Sequence, residues 1–360
     1  MDSLPSVLPI VLGYSRFATT TGLCLETLLP QAASLDTSVL AIDNGSPDNS
    51  ASLLELYKTT LPSSLQDYLQ TRIHAGNLGY GGGMNEAVKY GLETNSFHQN
   101  GKPPEWLLLV NSDTLFPANS LKAWLSALAL VPPTVGIVAP LTNNAGNAQK
   151  ITLKSHSALT QTNHLLNEIE RIKLEFETWS LAAKDWIDRP TGLIWPIPRA
   201  DFFCIAIRTS IWQQLNGLDP IYGRGYYEDF DFSLRAIAAG YQCVLTEDCL
   251  IYHQGSASFK ASSEQKQLIR RNHQIFKNRF PHAHAPHVRQ SNLELLIGQL
   301  SWLDGQATDS NAASHLLMRM MTRWLATQSD RPRSMFKRWM WMHRLIKIQK
   351  HYPQYLPKPD

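Results

Sequence analysis

Four acids stand where an apolar pattern breaks. Asp43 and Asp113 close the stretches SVLAID and WLLLVNSD, and Glu228 and Asp229 stand in GYYEDFDFSLR at the start of a helical apolar repeat. Carboxylates so placed can ligate a cation through their oxygens or take a proton from a substrate hydroxyl. Between the first two acids lies GNLGYGGGMN, residues 76 to 85. Glycines ahead of a helix beginning near Met84 would let a backbone or a phosphate approach closely. Each feature also has a plainer use. The glycines could form a surface loop, and Asp43-Asn44-Gly45-Ser46 is a good turn because Asx and Ser side chains bond nearby amides. Glu228 and Asp229 would favour a helix dipole, and Asp231 with Arg235 is an i,i+4 pair.

Position separates these uses. The apolar runs IVLGY (10–14), SVLAI (38–42), TRIHA (71–75) and WLLLV (106–110) start 28, 33 and 35 residues apart, each followed by a polar turn and a helix-like stretch. That spacing predicts βα units with right-handed crossovers and a mostly parallel sheet. Ligands of such sheets bind beyond the carboxyl ends of the strands. The residues there are Tyr14-Ser15-Arg16, Asp43 to Ser46, Gly76 to Gly83, and Asn111-Ser112-Asp113. A dinucleotide-binding hydride enzyme would carry its glycines after the first strand and an acid about 20 residues later. Here the glycines follow the third strand and Asp43 precedes them, so the order is wrong.

Further along, residues 150–190 read as an insertion, with helical spacing in HLLNEIERIKLEFETWSLAAKDWI. DFFCIAIR predicts a buried strand. Phe230, Leu234, Ile237, Ala238 and Tyr241 mark one face of a short helix with Glu228 and Asp229 at its N-terminus.

The chain has 360 residues, 43% of them apolar, enough for a large domain with an appended piece. The stretch MDSLPSVLPIVLGYSR has Asp2 and no basic n-region, which argues against a secretory signal. The longest apolar candidate, AWLSALALVPPTVGIVAPL, is broken by Ser126 and Pro132-Pro133, so no membrane span is expected. Cys24, Cys204, Cys243 and Cys249 have no CxxC spacing, which fits unpaired thiols in a reducing cytoplasm. The net charge of +3 hides an asymmetry: residues 318–360 carry +8 and the rest −5.

Taken together, YSR, DNGSPDNS, NLGYGGGMN, NSD, the block from GLDPIYG to YYEDFDFSLR, and IYHQGSASF resemble glycosyltransferase family 2 in order and spacing. The likeness covers about residues 7 to 260 and is nearest to the bacterial rhamnosyltransferase-like branch. It implies the α/β GT-A fold, Rossmann-like, with a mostly parallel central sheet flanked by helices. Residues 1–265 would be the catalytic domain, including the 150–190 helical insertion, and 266–360 a helical C-terminal region. The implied activity is inverting transfer of a sugar, leaning to rhamnose, in surface polysaccharide synthesis. The donor would be a dTDP-, UDP- or GDP-sugar and the acceptor a saccharide or lipid-linked saccharide. Mg2+ or Mn2+ would neutralise the leaving diphosphate.

By the same resemblance Asp113 is the surviving metal-side acid of a DxD signature whose first acid is Asn111 here. His253 would be its companion at the metal or diphosphate. Asp43 matches the position that bonds the nucleoside, Tyr14 and Arg16 would lie beside the base, and Asn77, Gly79, Gly83, Asn111 and Ser112 belong to the donor-binding motifs. Asp229 matches the general base, with Glu228 orienting it or touching the acceptor. The alternative is a non-catalytic sugar-nucleotide-binding or scaffold protein. Assembly of Asp113, Asp229 and His253 on one cleft would distinguish the two.

The segment SMFKRWMWMHRLIKIQK, 334 to 350, predicts a basic helix with Phe336, Trp339, Met340, His343 and Ile346 along one side and Trp341 and Ile348 intruding on the other. Such a helix suits either an anionic membrane surface, with the protein peripheral on the inner face of the cytoplasmic membrane, or packing against the body or a second subunit. No recognition module for nucleic acid is present and the body is acidic.

Overall fold

The computed structural model describes residues 4–99, 101–153, 166–255, 262–283, 288–305, 311–329, 332 and 334–359. Its first half runs β1 (Val7–Gly13), α1 (Thr21–Ser34), β2 (Val39–Asp43), α2 (Ser50–Thr60), α3 (Ser63–Gln66), β3 (Leu69–Ile73), α4 (Gly79–Glu93), β4 (Trp106–Asn111), β5 (Thr114–Leu115), α5 (Ser120–Leu130) and β6 (Val135–Leu141). The second half runs α6 (Glu168–Ile187), β7 (Ile194–Pro196), β8 (Cys204–Arg208), α7 (Thr209–Gln214), α8 (Glu228–Ala238), β9 (Gln242–Leu250), β10 (Tyr252–His253), α9 (Ser263–Arg279), α10 (Val288–Asp304), α11 (Asn311–Ser329) and α12 (Met335–His351).

Among the described residues eight strands form one sheet in the order β3-β2-β1-β4-β8-β6-β9-β7. Four pairings are parallel and the three made by β8 and β7 are antiparallel. The fold is therefore α/β with a mostly parallel central sheet flanked by helices. Alternate residues of each apolar run face opposite layers, as strand geometry requires. Ile10, Leu40, Leu107 and Leu109 enter one buried cluster with Met84 and Val88 of α4. Val11, Ala41, Trp106, Leu108 and Val110 enter the other with Leu25 and Leu28 of α1 and Trp124 of α5. Both faces are covered, which explains why the runs are almost continuously apolar.

Chain order along the sheet reverses between β1 and β4. β1 is followed outward by β2 and β3 on one side, while β4 lies on its other side. Crossovers leave the sheet in opposite directions there, opening a crevice at the carboxyl ends.

Two local expectations change. The glycine run does not precede a helix starting near Met84, because α4 begins at Gly79. Asn77 Oδ1 accepts from the Gly79 N–H at 2.7 Å and starts the helix early. In α8 the buried apolar residues are Phe232 and Ala236, beside Asp231 and Ser233, whereas Ile237 and Ala238 are exposed. Asp231 is drawn inward by Arg235, Arg279 and the Tyr222 hydroxyl, and this rotates the helix away from the face its apolar residues mark.

The C-terminal helices share the core of the sheet. Leu293, Leu296 and Leu300 of α10 and Trp324 of α11 belong to the same buried cluster as Ile205 and Leu245, and the cluster crosses residue 265 without a break. Within β9, Glu247 and Asp248 are buried and meet two fully buried arginines of α11. Arg323 Nη2 is 2.9 Å from Glu247 and Arg319 Nη1 is 2.8 Å from Asp248. Two bases of the positive tail thus lie inside the molecule. Residues 154–165 of the expected insertion fall outside the described residues. The rest of it contains α6, whose Trp186 Nε1 donates to the Glu247 carbonyl at 2.7 Å. All four cysteines are free and buried. No described helix is long and apolar enough to cross a membrane.

Candidate functional site

The crevice between β1 and β4 opens into a cleft of about 370 Å3, lined in part by Tyr14, Arg16, Asn77, Gly79, Asn111, Ser112 and Asp113. Seven of the ten residues that the sequence assigns to the donor and metal sides therefore converge here, with Asp43, Gly83 and His253 outside this cleft. Ser15 and Arg16 hold left-handed backbone at φ 59° and 60°, which sends the chain sharply across the strand end. Their turn is fixed by its neighbour. Ser46 Oγ accepts from the Ser15 N–H at 2.8 Å and donates to Asp43 Oδ2 at 2.5 Å, while Asp43 Oδ1 takes the Ser46 N–H at 2.9 Å.

Asp43 itself is buried beneath this turn and does not line the cleft; Asn44 does. Gly83 also lies away from it. A Cβ there would meet Leu12 and Asn44 at 2.9 Å, so glycine lets α4 pack closely on the β1 and β2 ends. Gly79 is different, with φ +72° and the backbone of Gly223 and Arg224 within 2.7 Å of a hypothetical Cβ. It brings the 223–225 loop over the cleft, and Tyr80 N–H donates to the Arg224 carbonyl at 3.3 Å.

Asp113 and His253 meet through the small ladder in which β5 pairs antiparallel with β10. Register sets Thr114 opposite His253, and the Gln254 N–H bonds the Asp113 carbonyl at 2.9 Å. His253 Nε2 is then 3.3 Å from Asp113 Oδ2. Its Nδ1 lies 2.8 Å from the Asn144 carbonyl, which can only accept, so Nδ1 carries a proton and Nε2 faces Asp113. The ring stacks on Phe203, with centroids 5.1 Å apart. Burial lowers the His253 pKa, but the hydrogen bond and charge of Asp113 outweigh it and hold it above the ordinary value. Burial likewise raises Asp113, and contact with His253 reverses the sign, leaving it below the usual range.

Among the described residues no three His, Cys, Asp or Glu side chains converge as a metal group. Asn111 Oδ1, however, is buried at the same edge without a hydrogen-bond partner. An imidazole nitrogen, a carboxylate and an unsatisfied amide oxygen suit a divalent cation that takes its other ligands from a phosphate.

A second cleft of about 370 Å3 adjoins the first, sharing Tyr80 and Asn111. It is lined by Glu228, Asp229, Asp201, Asn144 and His253 among others. The three residues expected on one cleft thus line two that adjoin: Asp113 is on the first, His253 and Asp229 are on the second, and His253 contacts Asp113. Burial pushes Glu228 up to about 7, and one of its oxygens, Oε2, has no partner. Burial, then the charges of Glu228 and Asp201, raise Asp229 well above the carboxylate range despite the Phe230 N–H, which it accepts at 2.8 Å.

The two acids enter α8 from strained chain, Tyr226 and Tyr227 having φ 73° and 78°. Asn272 of α9 secures that chain, donating from Nδ2 to the carbonyls of Tyr222 and Gly225, both at 2.7 Å. The C-terminal region therefore braces the loop that presents the acids.

Sequence reading missed Asn144, Asp201, Arg224 and Asn272, and it named Asn44 only as part of a strand-end turn. Asn144 follows β6, which runs parallel to β9, so the strand-end rule applied to TNNAGN would have found it. Asp201 precedes β8, whose antiparallel course brings its amino end to the same edge. Arg224 is flanked by Gly223 and Gly225, both at positive φ. Asn272 carries no signal in an otherwise polar helix. Residues 256–259 of the IYHQGSASF motif lie outside the described residues.

No protein-family model matches this sequence, and no curated protein matches it. Solved structures do. One is the mannosyltransferase PcManGT from Pyrobaculum calidifontis in complex with GDP-Man and Mn2+, 16% identical over 98% of this chain and 82% of that one, with a TM-score of 0.46. Another is GalNAc-T7 with UDP, GalNAc and Mn2+, 12% identical over 99% of this chain and 60% of that one, with a TM-score of 0.49. Both are distant likenesses.

Proposed function

We propose that the protein is an inverting glycosyltransferase of the GT-A type. It would move a sugar, rhamnose in the leading case, from a nucleoside diphosphate to a hydroxyl of a saccharide or lipid-linked saccharide in bacterial surface polysaccharide synthesis. One observation carries the reading. Two adjoining clefts at the sheet's switch point place the Asp113–His253 pair at their junction and Asp229 on the farther one. A donor occupying the first cleft would lay its diphosphate toward Asp113 and its sugar toward Asp229.

In this reading Tyr14, Arg16, Asn44 and Asn77 hold the nucleoside end, and Arg224, which also lines the first cleft, faces the diphosphate. Asp229 takes the proton of the acceptor hydroxyl, whose oxygen bonds to the anomeric carbon as the bond from that carbon to the diphosphate oxygen breaks. Attack opposite the leaving group inverts the anomeric centre. Mg2+ or Mn2+, held by Asp113 and His253 with Asn111, would supply electrostatic stabilisation of the departing diphosphate. The Nδ1 bond to Asn144 keeps the His253 ring oriented for that contact. Buried Glu228 raises the basicity of Asp229 beside it, which makes the neighbouring acid a better proton acceptor once ionised.

The test is a panel of dTDP-rhamnose, UDP-hexoses and GDP-mannose with saccharide and lipid-linked acceptors, each with and without Mn2+ or Mg2+. Nucleoside diphosphate release and the anomeric configuration of the product are measured. Acceptor-dependent release with an inverted product is expected. Silence across the panel, with nucleotide binding intact, would favour a binding protein instead.

A further inference from the structure

The helix α12 has two apolar faces, and the body of the protein uses one. Trp341 and Leu345 are buried, Trp341 Nε1 donates to the Thr327 carbonyl at 3.0 Å, and the Arg289 guanidinium lies 5.8 Å over its ring. Tyr352 and Leu356, just beyond the helix, are buried as well. The residues that interrupt the polar side of the helix in sequence are therefore its attachment to the fold.

The opposite face is left in solvent. Phe336 is 68% exposed, Trp339 65% and Met340 51%, with Met335 beside them at 85%. Phe336, Trp339 and His343 stack in succession, with centroids 6.3 and 5.8 Å apart, in a ridge along i, i+3, i+7. A helix merely packed on a soluble body keeps its large apolar groups inward and its charges outward.

Charge identifies what would cover the ridge. No Asp or Glu occurs from 335 to 359, where Lys337, Arg338, Arg344, Lys347, Lys350 and Lys358 do. Helical spacing puts Lys347 and Lys350 on the ridge's own face, and Lys337 and Arg344 along its border. None of these four has a carboxylate partner among the described residues; Arg344 bonds only the Gln290 amide oxygen, at 2.7 Å. A face combining Trp, Phe and Met with unpaired bases matches the boundary of an anionic bilayer, where rings enter the headgroup layer and ammonium groups stay beside the phosphates.

We propose that the outer face of α12 binds an anionic membrane surface, lying in its plane, with Phe336 and Trp339 inserted and Lys347 and Lys350 at the lipid phosphates. This inference stands independently of the sugar-transfer reading, since it uses no residue of either cleft.

The test is co-sedimentation of the full chain with vesicles of phosphatidylcholine alone, or of phosphatidylcholine with phosphatidylglycerol, at low and high salt. Binding to the anionic vesicles alone, weakened by salt, is expected. Lys347→Gln and Lys350→Gln should each weaken it about fivefold, the equivalent of ~1 kcal/mol per base near such a surface. Phe336→Ser with Trp339→Ser should abolish it. All three variant proteins should keep the wild-type melting temperature, because the altered side chains touch solvent. Failure of the wild-type chain to bind anionic vesicles at low salt would overturn the proposal, as would undiminished binding by the aromatic variant. Concentration-dependent self-association that the aromatic variant removes, with no vesicle binding, would instead assign the ridge to a second copy of the chain.

Discussion

Glu247 and Asp248 in β9 and Glu228 and Asp229 at the start of α8 are adjacent acid pairs removed from most of their water, and their surroundings differ. The β9 pair meets Arg323 and Arg319 from α11, and Asp248 also accepts the Thr191 and Gly192 N–H groups, both at 2.7 Å. Among the described residues the α8 pair makes no salt bridge with an arginine; its charges repel, and the Arg199 charge is the least of the influences on Asp229. Only three residues from Glu228, Asp231 is paired with both Arg235 and Arg279. The chain therefore has guanidinium groups close at hand and leaves Glu228 and Asp229 without one in contact among the described residues. Ionic partners that would stabilise the fold would also fix both acids as carboxylates of low basicity, poorly suited to take a proton.

The largest expected effect comes from neutralising the unpaired acid. Asp229→Asn should lower transfer by about 10²–10⁴-fold, the usual contribution of a positioned general base, while nucleotide affinity changes little. Stability at neutral pH should not fall, because burial and the Glu228 charge already disfavour the ionised form that the substitution removes. Turnover, nucleotide titration and a thermal melt on the same preparation check all three. Near-normal turnover would remove Asp229 from the base role.

The paired acids should give the opposite signature. Arg323→Met leaves Glu247 buried at 0% exposure without its guanidinium and should cost about 3–5 kcal/mol of stability. Chemical denaturation measures this, and the folded fraction should turn over at the wild-type rate. A loss of turnover without loss of stability would mean that α11 reaches the clefts in some way other than through the fold.

Much of this arrangement was legible before any coordinates. Strand spacing and the polar strand ends located the crevice, and the apolar runs located β1, β2, β4 and β8 to within a few residues. What stayed hidden depends on tertiary context. The rotation of α8 is set by Arg279, 48 residues beyond Asp231, and no local apolar period encodes it. Glu247 and Asp248 look like solvent-facing acids in TEDCL until Arg319 and Arg323 arrive from more than 70 residues away. Gly83 looks like a phosphate contact because its motif is glycine-rich, yet its small size serves the packing of α4 on Leu12 and Asn44. Trp341 seemed to spoil an amphipathic helix, and it is the residue that docks it.

The smallest expected effect sharpens the comparison by pH. Glu228 has its pKa raised to about 7 from an ordinary carboxylate value near 4.5. The groups that interact with it, Asp229 and the Tyr80 hydroxyl, supply no positive charge, and Arg199 lies nearer Asp201 and Phe230. Between these two pH values the unfolded chain has lost the proton and the folded chain keeps it, so the folded state binds more protons and stability falls as pH rises. Above about 7 both states are ionised and this contribution levels off. Glu228→Gln has no such proton, so its melting temperature relative to wild type should climb from pH 4.5 to 7 and then stay flat. Thermal melts of the two proteins across pH 4.5 to 8.5 measure the difference, and a gap constant with pH would mean that Glu228 has a charge partner after all.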